Sequence, residues 1–217
     1  MTQAIDRAAS GPKNVEEGDG KRNWDVDIIS MSFGFYELHS RVKEALDRAL
    51  EKPRLIFAAA SNNGSRRRNA TFPAWYPGVI GINAADAYKK PSSFNPPLKP
   101  GMPFTILGEN VRSAWIKHKV KDIEVRYRTM SGTSVATPVA SAVAALVLEF
   151  VLQDNPKSKL KEKLGGLKRA YVMSPILEAM SSNEAGYKYI VPWYVLSADR
   201  DRAAIKFKIE EAVEDFL

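Results

Sequence analysis

The sequence predicts an α/β fold: a parallel sheet with helices on both of its faces. Three short apolar runs, at residues 28–32, 55–60 and 79–84, are typical of buried strands. An amphipathic, helix-type pattern at 37–50 separates the first two of them, and a long apolar helix-type segment follows later in the chain. Strands that alternate with helices in this way favour parallel pairing.

The individual elements follow from local pattern and from turn residues. The first strand, near 27–32, ends in a Ser-Phe-Gly turn, and the strand at 55–60 ends in a polar Asn-Asn-Gly loop. Further elements are expected in this order: a short strand near 104–107, a helix from Ser134, a helix near 167–180, a Tyr/Val/Trp-rich segment at 187–196, and a charged amphipathic helix near 199–216. Residues 10–23 form a polar lead, and no internal repeat is visible.

The segment 131–138 (SGTSVATP) is the most informative part of the chain. Gly132 permits a close backbone approach, Thr133 and Ser134 are good residues for starting a helix, and Pro138 is expected in its first turn. Ser134 should therefore lie near the positive end of a helix dipole, which suits a nucleophile. Taken alone, the same pattern also fits a capped core helix whose serine only satisfies backbone donors.

Two loops favour a chemical role for Ser134 over the capped core helix. The loops that begin at Ser32 and at Ser61 both follow the carboxyl ends of strands, and ligands bind at that edge of a parallel sheet. With the segment at 131–138 they form an ordered set of motifs. In this set the chain resembles the subtilisin-like serine peptidase family, best between residues 25 and 150, including an aromatic-Pro loop and strand at 72–86.

The resemblance implies a role for each motif. Ser134 matches the nucleophile, and Asn62 matches the asparagine that donates to the oxyanion; ordinary turn chemistry is the alternative for Asn62. The substrate-binding positions implied in this way are Ser32, Phe33, Gly34, Ala60, Ser61 and Thr133. Ser61 stands where the family commonly has glycine, so its side chain is expected to narrow the specificity pocket.

The general base and its orienting carboxylate are not visible in this chain. In the family both precede the serine, in the order Asp, His, Ser. The two histidines, His39 and His118, lack the His-Gly-Thr surroundings, and Asp27 matches a structural position. We therefore expect a domain that lacks its N-terminal strands, with the strand at 27–32 left as an open, aggregation-prone edge.

Composition favours one domain spanning residues 1–217, with a helical portion at 151–217. The chain is 45% hydrophobic and has no cysteine, which excludes disulfides and thiolate–metal sites. We expect no cofactor, since no acidic cluster in a turn suggests a calcium loop. Residues 1–20 contain no signal-like apolar run, and the stretch 139–148 is too short to span a bilayer. A cytoplasmic location is the default expectation.

The formal charge of +7 raises the question of nucleic acid. The basic residues form separate groups at 66–68, 117–121 and 157–168, which predicts solvated surface and no nucleic-acid site. The arginine triplet at 66–68 lies near the cleft expected from the family, so it also suggests a preference for acidic substrates.

Two functions remain open from the sequence. One is a serine endopeptidase domain that acts on peptide or protein substrates and is inactive alone, because a missing N-terminal part of the same domain must supply the base. The other is a peptidase-derived binding or regulatory module that keeps the fold without turnover.

Overall fold

A six-stranded sheet forms the centre of the molecule in this computed structural model, which describes residues 1–10, 24–64, 69–120, 123–155 and 158–216. Its strands lie in the order β1-β2-β3-β4-β8-β7. The strands are β1 (Ile28–Met31), β2 (Leu55–Ala59), β3 (Val79–Ala85), β4 (Phe104–Leu107), β7 (Ser181–Glu184) and β8 (Tyr187–Ile190). Five of them are parallel, with Ile28 opposite Leu55 and Ile56 opposite Val79, whereas β7 runs antiparallel to β8.

Helices cover both faces of this sheet. They are α1 (Thr2–Ala9), α2 (Ser40–Glu51), α3 (Thr133–Leu152), α4 (Lys159–Glu162), α5 (Leu164–Leu167), α6 (Ala170–Ala179) and α7 (Arg202–Val213). Leu55 and Phe57 face the layer that contains α3, α6 and α7, while Ile56 faces the layer of α1 and α2. Because adjacent strand residues point to opposite faces, strands covered on both sides must be apolar throughout. The three-layer α/β architecture expected from the sequence is confirmed.

Several boundaries differ from the sequence-based expectation. Helix α2 begins at Ser40, three residues after the expected start, and α7 begins at Arg202. The expected helix at 167–180 divides into α5 and α6, and the segment 187–196 supplies β8 and a short 3₁₀ turn at Pro192–Tyr194. Asp201 explains the late start of α7, since its carboxylate accepts a hydrogen bond from the Ala204 amide at 2.7 Å.

Several elements were not expected, and strand β7 is one of them. Helix α1 lies in the polar N-terminal stretch, where only Ile5, Ala8 and Ala9 are buried. A separate antiparallel hairpin comprises β5 (Val111–Val120) and β6 (Ile123–Met130). Neither contributes a long apolar run, so hydrophobic periodicity gives a weak signal for both.

Arg54 ties the N-terminal helix to the sheet. Its guanidinium is buried and donates to the carbonyl oxygens of Val26 at 2.6 Å, Ala49 at 3.0 Å and Ala9 at 2.9 Å. Asp25 completes the set with an ion pair at 2.9 Å. A buried arginine is stable only when its donors are satisfied, as they are here, so the entry of β1 is fixed between α1 and α2.

Strand β1 lies at the edge of the sheet, as the sequence analysis expected. Within the described ranges, β2 is its only neighbour, and the second edge of β1 is unpaired. Ile28 and Ile29 on this strand are half-buried. An apolar edge strand with free N–H and C=O groups is a template for pairing with another segment.

Helix α3 is long and apolar enough, by length and composition alone, to cross a membrane. It is therefore longer than the stretch 139–148 that the sequence analysis considered. Half of its most apolar window is buried inside the structure, where Ala140, Val143 and Val147 pack against the sheet. A core helix that faces a sheet meets the same criteria of length and composition.

Asp154 joins the carboxyl end of α3 to α7. Its carboxylate pairs with Lys206 at 3.0 Å, and its side chain is only 12% exposed. A hydrogen bond from Ser158, followed by the hydrogen bond from Lys206, lowers the pKa of Asp154 from 3.8 to about 2. A carboxyl group whose pKa is lower in the folded state stabilises the fold above the unfolded pKa, and this contribution is lost as the pH falls through the folded one.

We predict that Asp154→Asn removes part of the acid sensitivity of the protein. In the unchanged chain, on the order of 1 to 2 kcal/mol of the free energy of unfolding should disappear between about pH 5 and about pH 2. Urea unfolding at both pH values measures this loss. Asp199→Asn, at an exposed position, is the matched control. If both variants lose the same free energy of unfolding between the two pH values, Asp154 is not the source of the acid sensitivity.

Candidate active site

The amino end of α3 is the centre of the candidate site. Gly132 caps this helix with φ 151°, and its carbonyl oxygen accepts the first helical bonds, from Val135 at 2.9 Å and Ala136 at 3.1 Å. A side chain at this position would bring Cβ to 3.0 Å from the amide nitrogen of Asn62, in a backbone conformation that other residues rarely adopt. Glycine is therefore required for the helix to begin against the loop after β2.

Asn62 is oriented by the first residue of this helix. Its amide oxygen Oδ1 accepts hydrogen bonds from the Thr133 N–H at 2.8 Å and from Thr133 Oγ1 at 3.0 Å. Thr133 is buried, so both donors are directed and shielded from water. With Oδ1 engaged in this way, the orientation of the Asn62 amide is fixed, and its Nδ2 group has no hydrogen-bond partner among the described residues and remains available as a donor.

Ser134 follows directly and is half-buried. Its hydroxyl lies 3.5 Å from the carbonyl oxygen of Ser32, at the end of β1. In the described part of the chain no acceptor is found for the Ser134 N–H, because the first helical bonds begin at Val135. The site therefore offers a serine hydroxyl together with two free donors, the Ser134 N–H and Asn62 Nδ2.

Pro138 lies in the second turn of α3, and its expected place in the first turn was wrong. A proline at this point leaves the carbonyl four residues earlier, that of Ser134, without its helical N–H partner. The hydroxyl of Ser32 donates to that oxygen at 2.9 Å. The missing helical bond is thus replaced by a bond that connects the end of β1 to the backbone of Ser134.

The loop of Phe33 and Gly34 is fixed against the segment after β2. Phe35 and Phe72 exchange two backbone hydrogen bonds at 2.7 and 2.8 Å, and a Cβ on Gly34 would lie 2.1 Å from Thr71 Oγ1. Phe33 is half-buried beside Phe35, with ring centroids 6.0 Å apart. These contacts hold residues 32–34 beside the amino end of α3.

Ala60 and Ser61 support the Asn62 loop from within. The Ala60 N–H donates to Ile82, and its carbonyl accepts from the backbone and hydroxyl of Thr71 at 2.7 and 2.9 Å. Ser61 Oγ accepts from the Asn63 N–H at 3.3 Å and from Asn63 Nδ2 at 3.2 Å. Both residues are buried. The Ser61 hydroxyl is thus engaged within its own loop, and both backbone polar groups of Ala60 are already bonded.

Further residues that stabilise this loop were not predicted from the sequence. Asn63 Nδ2 also donates to the Tyr36 hydroxyl at 2.6 Å, which links the loop to the segment after β1. Gly64 has φ 53°, and a Cβ there would lie 2.9 Å from the Ser93 carbonyl oxygen. The Asn-Gly pair in the sequence is a signal for the positive φ, whereas the Tyr36 contact depends on the fold alone.

The two histidines are not joined to Ser134 by any contact among the described residues. The His39 ring lies 4.8 Å from the Phe35 ring, and His39 is the residue directly before α2, which packs on the sheet face opposite to α3. His118 belongs to β5, and its side chain lies outside the described atoms. Asp27 forms an ion pair with Lys168 at 2.5 Å. His39 and Asp27 therefore have structural surroundings.

In the part of the chain that the structure describes, no group of three or more His, Asp or Glu side chains could hold a metal ion. The triplet at 66–68 lies outside the described residues.

These features define a three-layer α/β protein with serine-peptidase architecture. The family model described as the subtilase family, Peptidase_S8, matches residues 1–187, and the chain therefore belongs to the subtilase family. The family model therefore matches a longer part of the chain than residues 25–150, where the motifs show the resemblance.

Individual relatives agree with this assignment. The chain is 34% identical to the thermostable alkaline protease of Halalkalibacterium halodurans over 63% of this chain and 36% of that protein. It is 32% identical to subtilisin DY of Bacillus licheniformis, over 52% of this chain and 39% of the relative. The major intracellular serine protease of Bacillus subtilis is 30% identical over 57% and 40%, respectively. The chain thus spans less than half the length of these relatives.

A solved structure shares the fold. The prenylagaramide maturation protease PagA superposes with a TM-score of 0.62 and 21% identity, over 96% of this chain and 66% of that one. At this level of identity the comparison supports the architecture alone.

We predict that Ser32→Ala loosens the connection between β1 and α3. The Ser134 carbonyl would lose its hydroxyl partner, which should lower the free energy of unfolding by about 0.5 to 1.5 kcal/mol. Urea unfolding measures the change. Ser32→Thr, which keeps a hydroxyl, should lose less, and the exposed Ser30→Ala on the same strand is the control. Equal losses for Ser32→Ala and Ser30→Ala would exclude a special role for this bond.

Proposed function

We propose that this chain carries the nucleophile and the oxyanion site of a subtilase-type serine peptidase. Ser134 is the nucleophile, and Asn62 Nδ2 and the Ser134 N–H are the oxyanion donors. The observation that carries this proposal is the pair of hydrogen bonds from Thr133 to Asn62 Oδ1, at 2.8 and 3.0 Å, because they fix the Asn62 amide at the amino end of α3 and leave its Nδ2 group without a partner among the described residues.

The chemistry follows from this arrangement. The Ser134 hydroxyl attacks the carbonyl carbon of a peptide bond, and its proton passes to a general base. The carbonyl oxygen becomes negative and is stabilised by two N–H donors at the positive end of the α3 dipole. The C–N bond then breaks, the amine departs with the proton, and water releases the acyl group from Ser134 by the same route.

The substrate-binding positions belong to the same proposal. Residues Ser32, Phe33 and Gly34 follow the end of β1 and lie beside Ser134, where an extended peptide can run along the loop. Gly34 is exposed and Phe33 is half-buried, so this loop presents backbone and an aromatic wall. Ser61 and Ala60 hold the opposite loop in place, and Thr133 acts by orienting Asn62.

We infer that the general base and its carboxylate come from a polypeptide segment that docks beside β1. Two features of the described chain support this. The outer edge of β1 is unpaired, and the outward side of α3 exposes large apolar side chains, with Leu146 57% and Leu152 49% exposed. A segment with one strand and one apolar helix would satisfy both the strand edge and the helix face.

A second candidate function is a binding module without turnover. The observation that favours it is the position of the Ser134 hydroxyl, which has the Ser32 carbonyl as its partner at 3.5 Å and no histidine among the described residues. In this case the loop of residues 32–34 would still hold an extended peptide, but Ser134 would not react with it.

A cysteine variant tests the nucleophile and the oxyanion donors without any base. The chain has no cysteine, so Ser134→Cys introduces a single thiol, which ionises by itself near a helix amino end. We expect a burst of p-nitrophenol from p-nitrophenyl acetate as the thiol is acylated. Adding Asn62→Ala should slow this burst about a hundredfold, the size of effect that the loss of this donor has in subtilisin itself.

Two controls accompany this experiment. Ser30→Cys places a thiol on an exposed strand position and reports the rate without an oxyanion site. Asn63→Ala removes the neighbouring amide in the same loop and should change the rate far less than Asn62→Ala. Equal acylation of Cys at positions 30 and 134 would reject the proposed site.

A fluorophosphonate probe tests the supply of the base. We expect the chain alone to label no faster than Ser134→Ala, since subtilisin loses about a millionfold in turnover without its base. Mixing the chain with a polypeptide that carries the subtilase aspartate and histidine motifs should produce labelling at Ser134. Absence of labelling in that mixture would favour the binding module.

A further inference from the structure

The hairpin of β5 and β6 forms an arm that rises directly from the candidate site. At its base, Val111 pairs with Met130, and the Asn110 N–H donates to the Ser131 hydroxyl at 2.9 Å. The next residue, Gly132, donates to the Gly108 carbonyl at 2.8 Å and caps the helix of Ser134. Since β5 is ten residues long, the arm reaches about 30 Å from this base.

None of the arm's described side chains, at 111–116 and 126–130, is buried. Cross-strand pairing puts Ser113 opposite Arg128 and Ala114 opposite Tyr127, and all four residues are exposed. Trp115 is 37% exposed. A two-stranded ribbon with both faces in solvent gains little from folding by itself, which indicates a surface whose partner is another molecule.

The charge of the arm is strongly positive. Residues 111–130 contain two acidic residues and six basic ones, namely Arg112, Lys117, Lys119, Lys121, Arg126 and Arg128. The Arg112 guanidinium lies 4.6 Å from the Tyr127 ring centroid, and that of Arg128 lies 4.8 Å from the Trp115 ring centroid. Neither of these two guanidinium groups has an ion-pair partner in the described ranges.

Stacking on a ring prepares each of these arginines to bind a carboxylate. A guanidinium that lies over an aromatic face keeps its N–H edge in solvent, and it loses less side-chain freedom when it forms a bidentate pair. Arg112 and Arg128 lie on opposite faces of the ribbon, because their cross-strand partners are Thr129 and Ser113 in successive pairs. A flexible acidic chain that wraps the ribbon can contact both arginines.

We propose that this arm is an exosite that holds an acidic segment of a peptide substrate next to Ser134. The assignment of that segment to a substrate rests on the proposed peptidase function. A segment bound to the arm stays within the arm's length of the nucleophile, which raises the local concentration of the neighbouring peptide bond. The arm therefore selects substrates by a sequence feature outside the cleft.

The stacked arginines favour an acidic peptide over a nucleic acid. Single-stranded nucleic acids bind through bases that stack on open aromatic faces. On Trp115 and Tyr127 one ring face is already covered by a guanidinium. The outward N–H edges match planar carboxylates, which an extended peptide presents at every residue of an acidic run.

Binding is best measured on the full chain with Ser134→Ala, so that the result does not depend on turnover. The probe is a fluorescent peptide with six consecutive Glu residues, followed by anisotropy at about 50 mM salt, where screening is weak. We expect the pair Arg112→Gln and Arg128→Gln to weaken its binding about tenfold. The pair Arg112→Lys and Arg128→Lys keeps the charge but loses the planar guanidinium. Its affinity for the peptide should lie between those of the unchanged arm and the Gln pair.

The control pair removes the same charge elsewhere. Arg41→Gln and Lys52→Gln change exposed residues at the two ends of α2, on the other side of the sheet, and should alter binding less than twofold. Equal weakening by both Gln pairs, or full binding by the Lys pair, would overturn the exosite. Tighter binding of a single-stranded oligonucleotide of equal charge would overturn it in favour of a nucleic-acid surface.

The outcome is independent of the fluorophosphonate experiment. Arm-dependent binding of the Glu peptide, together with absent labelling at Ser134 in the mixture with the polypeptide that carries the aspartate and histidine motifs, would keep the acidic-peptide surface and reject the peptidase function. Labelling at Ser134 without arm-dependent binding would keep the peptidase function and reject the acidic-peptide surface. Circular dichroism of each variant verifies the fold, which the four exposed positions should not affect.

Discussion

The hydrogen bond between the Thr133 N–H and the Asn62 amide oxygen is the interaction on which the site depends. It joins the carboxyl end of β2 to the amino end of α3, two elements separated by 71 residues in the sequence. Because Asn62 is held through its oxygen, its nitrogen is left as a donor in a fixed direction. An asparagine in a free loop would sample other rotamers and would lose this preorganisation.

A second bond of the same kind fixes the serine itself. Pro138 removes one helical hydrogen bond from α3, and the Ser32 hydroxyl takes its place at the Ser134 carbonyl. Three strand or helix ends thus meet at one point: the end of β1 through Ser32, the end of β2 through Asn62, and the start of α3. Helix α3 is apolar along most of its length. Its position therefore depends on the packing of side chains such as Val143 and Val147 against the sheet.

The free edge of β1 and the basic arm give the two sides of the site different characters. The edge and the outer face of α3 are apolar, which suits a permanent protein contact. The arm is charged and exposed, which suits reversible contact with an acidic chain. A subtilase domain built in this way would separate the supply of the base from the selection of substrate.

Much of the site could be predicted from the sequence, because its parts are local. The glycine and small residues around Ser134, the Asn-Asn-Gly turn and the apolar strands depend on short-range backbone preferences, and these predicted the α/β class and indicated Ser134 and Asn62 as candidate site residues. Helix α1 and the hairpin were missed, since the first has only three buried residues and the second has no buried side chain at its described positions, 111–116 and 126–130, that would impose a period.

Only the tertiary structure decided the rest. The orientation of Asn62 by Thr133, the replacement of the proline's missing bond by Ser32, and the stacking of Arg112 and Arg128 on aromatic rings all join residues whose proximity depends on strand order and register. The sequence by itself determined which residues are candidates for the chemistry. Their positions relative to one another depend on long-range packing, for which a single sequence carries no local signal.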